Sequence, residues 1–208
     1  MVMYQPLRFC INTSPRNCHS YDSNEFQSMV TTGSIILFAG ASKAQKNLRT
    51  LIRCHFDHCS ILINSSPKLL VWESDIGQYK TPGTRIIPLD KKLKRWKGFR
   101  FFVLLKFTGT PIDESLLENH ILRYAGTPLH TSRGLLKYFF PWLFSRPTEN
   151  ESMKERGVFC SELVYECLTD VGVVREANSW GFSPGEFLKV NEFTTPGRAY
   201  APPQVYYF

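Results

Sequence analysis

The sequence predicts a single domain of mixed α and β structure, in which antiparallel strands accompany an amphipathic helix. A chain of 208 residues, 43% of them hydrophobic, can bury one sizeable core. The runs 58–63 and 68–73 are apolar and partly β-branched and flank a turn, which is typical of a β-hairpin. Further along, apolar residues recur at helical spacing, namely Leu163, Val164, Cys167, Leu168 and Val171.

The other elements follow from local patterns along the chain. Residues 1–30 are polar with little periodicity, which predicts an irregular extension. The runs 84–88 and 99–107 are predicted to be strands, and the domain is expected to span residues 31–193. Residues 194–208 contain three prolines and several aromatic residues, so we expect an extended tail that docks through side chains rather than regular structure.

Cys160 stands where the helix is expected to begin, shortly after Gly157, and Gly172 ends the helix. The first turn of a helix presents unpaired backbone N–H groups and the positive end of the helix dipole, and both favour thiolate over thiol. We therefore predict that Cys160 is a nucleophile. The alternative is a structural cysteine, because free cysteine is among the most buried residue types.

His58 is the best candidate for the base that a catalytic thiol needs. It opens the run 58–63, and Glu73 ends the returning run 68–73. Side chains alternate between the two faces of a strand, so these two residues can be neighbours on one face. We predict that His58 takes and returns the proton of Cys160, and that Glu73 fixes the imidazole tautomer and stabilises its cationic form. Taken singly, a strand histidine or a strand-edge glutamate is more often structural.

In their order and motifs these residues resemble the permuted papain-like enzymes of the NlpC superfamily, in particular the YaeF/YiiX-like branch with its relatives in large DNA viruses. Ser34 and Ser60 depart from the family pattern, which has an acidic residue and a glycine there, but neither departure removes a proposed catalytic group. The similarity covers roughly residues 31–190, and the matching pieces are Glu73 and segments 33–38, 42–54, 58–63, 126–128, 159–164 and 183–187.

The resemblance implies an α+β fold of circularly permuted papain-like (NlpC-type) architecture, with an antiparallel sheet packed against the nucleophile helix. Permutation places that helix late in the chain, so the order becomes His58, Glu73, Cys160 while the spatial arrangement is retained. The implied activity is that of a thiol hydrolase or acyltransferase that acts on an amide or ester through a thioester and needs no cofactor.

The substrate class stays open at this point. Peptide or isopeptide amides and lipid acyl groups fit the implied chemistry equally well, since a fold does not fix a substrate. A hypothesis of a different class is a non-catalytic binding or structural protein, such as a virion component, that retains a papain-like site.

Two segments suggest contacts with other molecules. In a chain of net charge +7, residues 91–97 form either a basic surface for membrane or nucleic acid or merely a solvated turn between strands. The apolar run 134–144 is expected either to bind an acyl chain or membrane or to complete the core. The residues concerned are Lys91, Lys92, Lys94, Arg95 and Lys97 in the first segment, and Phe139, Phe140 and Trp142 in the second.

A metal site is the competing chemistry for the run Cys54-His55-Phe56-Asp57-His58-Cys59. Its spacing is poor for zinc, because adjacent ligand-type residues point apart and no regular second pair follows. The six cysteines lack the dense spacing of a secreted disulfide scaffold, and the N-terminus lacks a signal-peptide pattern. We therefore expect an intracellular, cytoplasmic protein, located in host cytoplasm or the virion if it is viral, without a transmembrane helix.

Overall fold

The computed structural model describes residues 18–20, 22–75, 82–95, 101–129, 157–175 and 182–207. In chain order the elements are β1 Cys18–Ser20, α1 Ser23–Met29, β2 Ile35–Phe38, α2 Lys43–Leu51, β3 His58–Ser65, β4 Lys68–Asp75, β5 Gly83–Pro88, α3 Leu89–Arg95, β6 Phe101–Leu105, α4 Glu114–Tyr124, α5 Cys160–Asp170, a 3₁₀ segment Pro184–Glu192, and β7 Gln204–Tyr207.

The described strands form one sheet in the order β1-β7-β6-β2-β3-β4-β5. The six strands from β7 to β5 pair antiparallel, and β1 adds a parallel edge next to β7. The fold is therefore α+β with an antiparallel sheet, as predicted.

The predicted hairpin is confirmed by β3 and β4. Their register pairs Ile61 with Trp72 and Ser65 with Lys68, and the turn lies at Ser66 and Pro67. Each strand runs two residues further than the sequence pattern indicated, because pairing with a neighbouring strand extends regular structure past the apolar run.

Helices cover both faces of the sheet. On one face α5 buries Leu163 and Leu168 against a layer that includes Ile61 and Trp72. The opposite face packs against α1 and α3, and its buried residues are Phe26, Ile36, Phe38, Leu62, Val71, Leu89, Phe102, Leu104 and Tyr206, among others. Strand β2 is buried along its whole length, since it lies in the middle of the sheet between the two layers.

The described residues correct three expectations about irregular segments at particular positions. Residues 1–30 include β1 and α1, although an irregular extension was expected. The tail ends in β7, which pairs with β6 through regular hydrogen bonds, so it does not dock through side chains alone. The basic run after position 88 begins as helix α3 instead of a turn. In each case, packing or pairing with distant residues decided the outcome.

A turn at 126–128 ties the sheet to the segment before α5. Thr84 N donates to Thr127 O at 2.9 Å, and Val158 N donates to Pro128 O at 3.0 Å. Gly83 has φ +145°, and a Cβ there would lie 2.5 Å from Thr127 O. Glycine at this position therefore allows the turn to approach β5 closely.

Candidate active site

Cys160 is the first residue of α5, as predicted, and the backbone just before it is anchored to the sheet. Ser74 Oγ on β4 donates to Val158 O at 2.7 Å, and Val158 N donates to Pro128 O at 3.0 Å. These two bonds hold the start of α5 next to the strand that carries Glu73.

Buried polar side chains also fix the first turn of α5. Phe159 N donates to Glu162 Oε2 at 3.3 Å, which satisfies one of the amides that a helix start leaves unpaired. Ser161 Oγ donates to Phe182 O at 2.6 Å. As the first residue of the helix, Cys160 has no acceptor within the helix for its N–H.

His58 and Glu73 meet in the geometry that strand alternation predicted. His58 Nε2 lies 2.8 Å from Glu73 Oε2, and Ser60 Oγ lies 3.2 Å from each of these two atoms. The ring of Phe38 stacks on the imidazole with centroids 5.8 Å apart. His58 is only 5% exposed and Glu73 is fully buried, so the pair is shielded from water.

The structure brings the Cys160 thiol into interaction with the same imidazole. A side-chain hydrogen bond with Cys59 and the charge of His58 lower the pKa of Cys160 well below its ordinary value, although burial opposes them. Burial and Lys92 act to lower the pKa of His58, but Cys160 and Glu73 outweigh them and raise it to about 10. Both shifts favour a thiolate–imidazolium pair over a neutral thiol and imidazole. Cys160 is a partly exposed residue.

Lys92 is a site residue that sequence reasoning missed. Its Nζ lies 2.6 Å from Glu73 Oε2, 2.7 Å from Asp75 Oδ2 and 3.4 Å from His58 Nε2. Its side chain is 1% exposed. Burial acts to raise the pKa of Glu73, but the positive charges of Lys92 and His58 lower it, so Glu73 is held ionised.

The burial of Lys92 corrects the prediction that it belongs to a basic surface. Leu89 and Leu93 lie three residues before it and one residue after it, and both pack on the sheet. On a helix these positions share one face with position 92, so the spacing was the signal that could have revealed a buried lysine. The prediction for Lys92 is wrong, because a pair of buried carboxylates draws the ammonium inward.

Three metal-ligand residues also converge here, because donor atoms of His58, Glu73 and Asp75 lie within 4.8 Å of one another. The ammonium of Lys92 contacts both carboxylates, so a lysine already supplies the cation that such a cluster would attract.

Four residues of the competing metal motif, Cys54, Asp57, His58 and Cys59, have separate partners. Cys54 Sγ accepts Gly185 N–H at 3.2 Å, and Asp57 pairs with Arg49 at 2.5 Å. His58 pairs with Glu73, and Cys59 is buried near Cys160.

Several predicted contact residues are not placed in the site. Lys91 and Lys94 are exposed on α3, so their contact with an anionic surface stays a prediction. The side chain of Arg95, together with Lys97, Phe139, Phe140 and Trp142, lies outside the described residues. Within the part of the chain that the structure describes, no helix has the length and apolar character needed to cross a membrane.

Comparisons with known proteins leave this geometry as the main guide to function. No protein-family model matches the chain, and a search of curated proteins finds no significant match. Among solved structures, the chain is similar to one described as the metalloprotein YiiX of Escherichia coli O157:H7, with a TM-score of 0.46 and 17% identity over 84% of this chain and 90% of that chain. Similarity at this level assigns neither a family nor an activity.

Proposed function

We propose that this protein is a cysteine-dependent hydrolase or acyltransferase that cleaves an amide or ester through a thioester on Cys160. The observation that carries the proposal is the contact of a partly exposed helix-start thiol with His58, an imidazole that Glu73 holds by a 2.8 Å bond. A nucleophile, a base and a group that orients the base are the three parts that such catalysis requires.

In the first half-reaction the Cys160 thiolate attacks the carbonyl carbon of the substrate. A carbon–sulfur bond forms, and the carbonyl electrons move onto oxygen, where the N–H of Cys160 and one further donor stabilise the oxyanion. When the tetrahedral intermediate collapses, His58 gives its proton to the departing amine or alcohol, and the bond to that group breaks. The product is an acyl thioester.

In the second half-reaction His58 acts as a base. It takes a proton from water, or from an amine or alcohol acceptor, as that nucleophile attacks the thioester carbonyl. The carbon–sulfur bond breaks and the thiolate returns. Because Nε2 of His58 contacts Glu73, we assign Nδ1 as the nitrogen that exchanges protons with Cys160 and the substrate.

Glu73 and Lys92 act through His58. Glu73 orients the ring and stabilises its cationic form, and Lys92 keeps the buried Glu73 carboxylate ionised so that it does not take the imidazole proton. The chain order His58, Glu73, Cys160 and the α+β sheet support the further proposal that the fold is a circularly permuted papain-like one. Whether the acyl donor is a peptide or isopeptide amide or a lipid acyl group is left to the substrate test.

Trapping the acyl-enzyme tests the proposal. Intact-mass spectrometry after mixing with 4-nitrophenyl butyrate and with short peptide amides should reveal an acyl adduct on Cys160 that hydroxylamine removes. Cys160→Ala should abolish the adduct and turnover, whereas Glu73→Gln should retain part of the activity because nucleophile, base and oxyanion donor remain. Cys167→Ala, which removes a buried thiol from the same helix, serves as the control. Absence of any adduct in the folded wild-type protein would favour a non-catalytic binding or structural role.

A further inference from the structure

A groove rich in basic residues lies along the C-terminal half of α2. It is open to solvent, has a volume of about 430 Å³, and is lined by Lys46, Arg49, Thr50, Arg53, Cys54 and His55. We call it the basic groove. No aspartate or glutamate occurs between Gly40 and Phe56, whereas four lysines and arginines do. Within the described residues, Lys46 and Arg53 form no ion pair.

Arg49 lines the groove and is held in place by hydrogen bonds. Its Nη1 donates to Gly40 O at 2.6 Å and to Asp57 Oδ1 at 2.5 Å. Asp57 is itself buried and also accepts Gly40 N–H at 2.7 Å. Both of these bonds use Nη1, so the arginine is fixed where it lines the groove. A fixed guanidinium gives up little side-chain entropy when it binds an oxyanion.

The opposing charge near the groove is small. Asp57 offsets Arg49, and Glu186 is the acidic side chain whose charge acts on Cys54. The Glu186 carboxylate accepts Ser183 N–H and interacts with the charge of Lys189. The charges of Lys46 and Arg53 therefore remain to attract an anion.

The groove adjoins the candidate active site. His55 lies three residues before His58, so their Cα atoms are at most roughly 11 Å apart. Cys54 Sγ accepts Gly185 N–H, and in the same segment Phe182 O accepts the hydroxyl of Ser161, the residue after Cys160. One continuous segment thus joins the wall of the groove to the nucleophile helix.

We propose that the basic groove is a phosphate-binding site. Guanidinium, ammonium and imidazole donors from different positions match the several oxygens of a phosphate better than the two of a carboxylate. The hydroxyl of Thr50 donates to Lys46 O at 3.0 Å, so it is not counted among these donors. A groove of this volume holds one small phosphate-bearing group, whereas duplex nucleic acid requires contacts with many successive phosphates. This site does not depend on the acyl-transfer proposal, since it uses none of the same side chains.

The test is a titration of full-length Cys160→Ala protein with inorganic phosphate and with glycerol 3-phosphate at constant ionic strength, followed by ¹H–¹⁵N NMR and calorimetry. We expect saturable binding with shifts concentrated at residues 46–55. Lys46→Gln/Arg53→Gln should weaken it by about tenfold or more, because it removes two charge-assisted contacts. Lys91→Gln/Lys94→Gln, which removes the same charge from exposed positions on α3, should change it by less than about twofold.

The two ligands separate the possible sources of the phosphate group. Tighter binding of glycerol 3-phosphate identifies a phosphate ester as the ligand, and equal binding identifies free phosphate. Equal weakening by both double variants, or shifts away from the groove, would overturn the proposal. So would binding of a duplex oligonucleotide that depends on Lys46 and Arg53 and falls steeply with salt while neither small phosphate binds.

Discussion

Lys92 places a buried positive charge where two carboxylates and an imidazole meet, so removing that charge should be costly. Removing one partner of a buried ion pair leaves an uncompensated charge in the protein interior, which typically costs several kcal/mol. In this case two carboxylates, Glu73 and Asp75, would be left facing each other.

We expect Lys92→Met to lower the free energy of unfolding by about 3–5 kcal/mol. Lys91→Met, on the exposed side of the same helix, should change it by no more than about 0.5 kcal/mol. Adding Asp75→Asn to Lys92→Met should recover part of the loss, because it removes one of the two carboxylates that Lys92 contacts. Denaturant unfolding measures all three variants, and equal stability of the Lys92 and Lys91 variants would contradict the burial argument.

The pKa of His58 should depend on Cys160. NMR titration of the imidazole should give a pKa of about 10 in the wild type, and Cys160→Ala should lower it, because burial and Lys92 then oppose protonation with less compensation. The folded-state pKa lies above the ordinary value of 6.5, so protonated His58 contributes stability that is complete below pH 6.5 and is lost as the pH rises through about 10. An unchanged pKa in the variant would mean that thiol and imidazole do not interact.

Among individual residues, the sequence indicated the three proposed catalytic residues but not the buried charge of Lys92. His58, Glu73 and Cys160 were found because strand alternation and a helix start place them by local rules. Lys92 was misassigned because lysine is rarely buried, and its spacing from Leu89 and Leu93 was the signal that it lies on the buried face of α3.

Helix α5 begins with the proposed nucleophile, Cys160, and its apolar face packs it against the sheet. Leu163 is fully buried, whereas Leu122 on α4 is 67% exposed. Leu163→Ala should therefore lower the free energy of unfolding by about 2–5 kcal/mol, and Leu122→Ala should change it by no more than about 0.5 kcal/mol. Thermal or denaturant unfolding compares the two variants, and similar losses would indicate that α5 is not packed as described.

Sequence periodicity located the elements whose partners are local. The hairpin of β3 and β4 needs only a short turn, and α5 has an uninterrupted apolar stripe, so both were predictable. Strand β7 and helix α3 were not predicted. Strand β7 pairs with β6, which lies about a hundred residues earlier in the chain, and α3 is tied to β4 by the buried contact of Lys92 with Glu73.

The two ends of the described chain meet at one edge of the sheet, where β7 lies between β1 and β6. Tyr206 on β7 stacks on Phe102 with centroids 5.2 Å apart. Deleting residues 201–208 would leave β6 as an unpaired edge with exposed aromatic surface. This deletion should lower Tm and increase light scattering, whereas Pro202→Ser/Pro203→Ser, which alters exposed residues and keeps β7, should do neither.

In the molecule as a whole, the sheet, the buried charges and α5 bring together the thiol of one partly exposed cysteine and one imidazole, and both pKa shifts favour the ionised pair. The most direct test is the pH dependence of alkylation by low iodoacetamide, read at each cysteine by mass spectrometry. At pH 6 Cys160 should react at least about tenfold faster than Cys54, Cys59 or Cys167, since ordinary thiols are almost fully protonated there. His58→Ala should move its profile towards that of an ordinary thiol. Labelling of Cys160 in step with the other cysteines, or a profile that His58→Ala leaves unchanged, would contradict the thiolate–imidazolium pair.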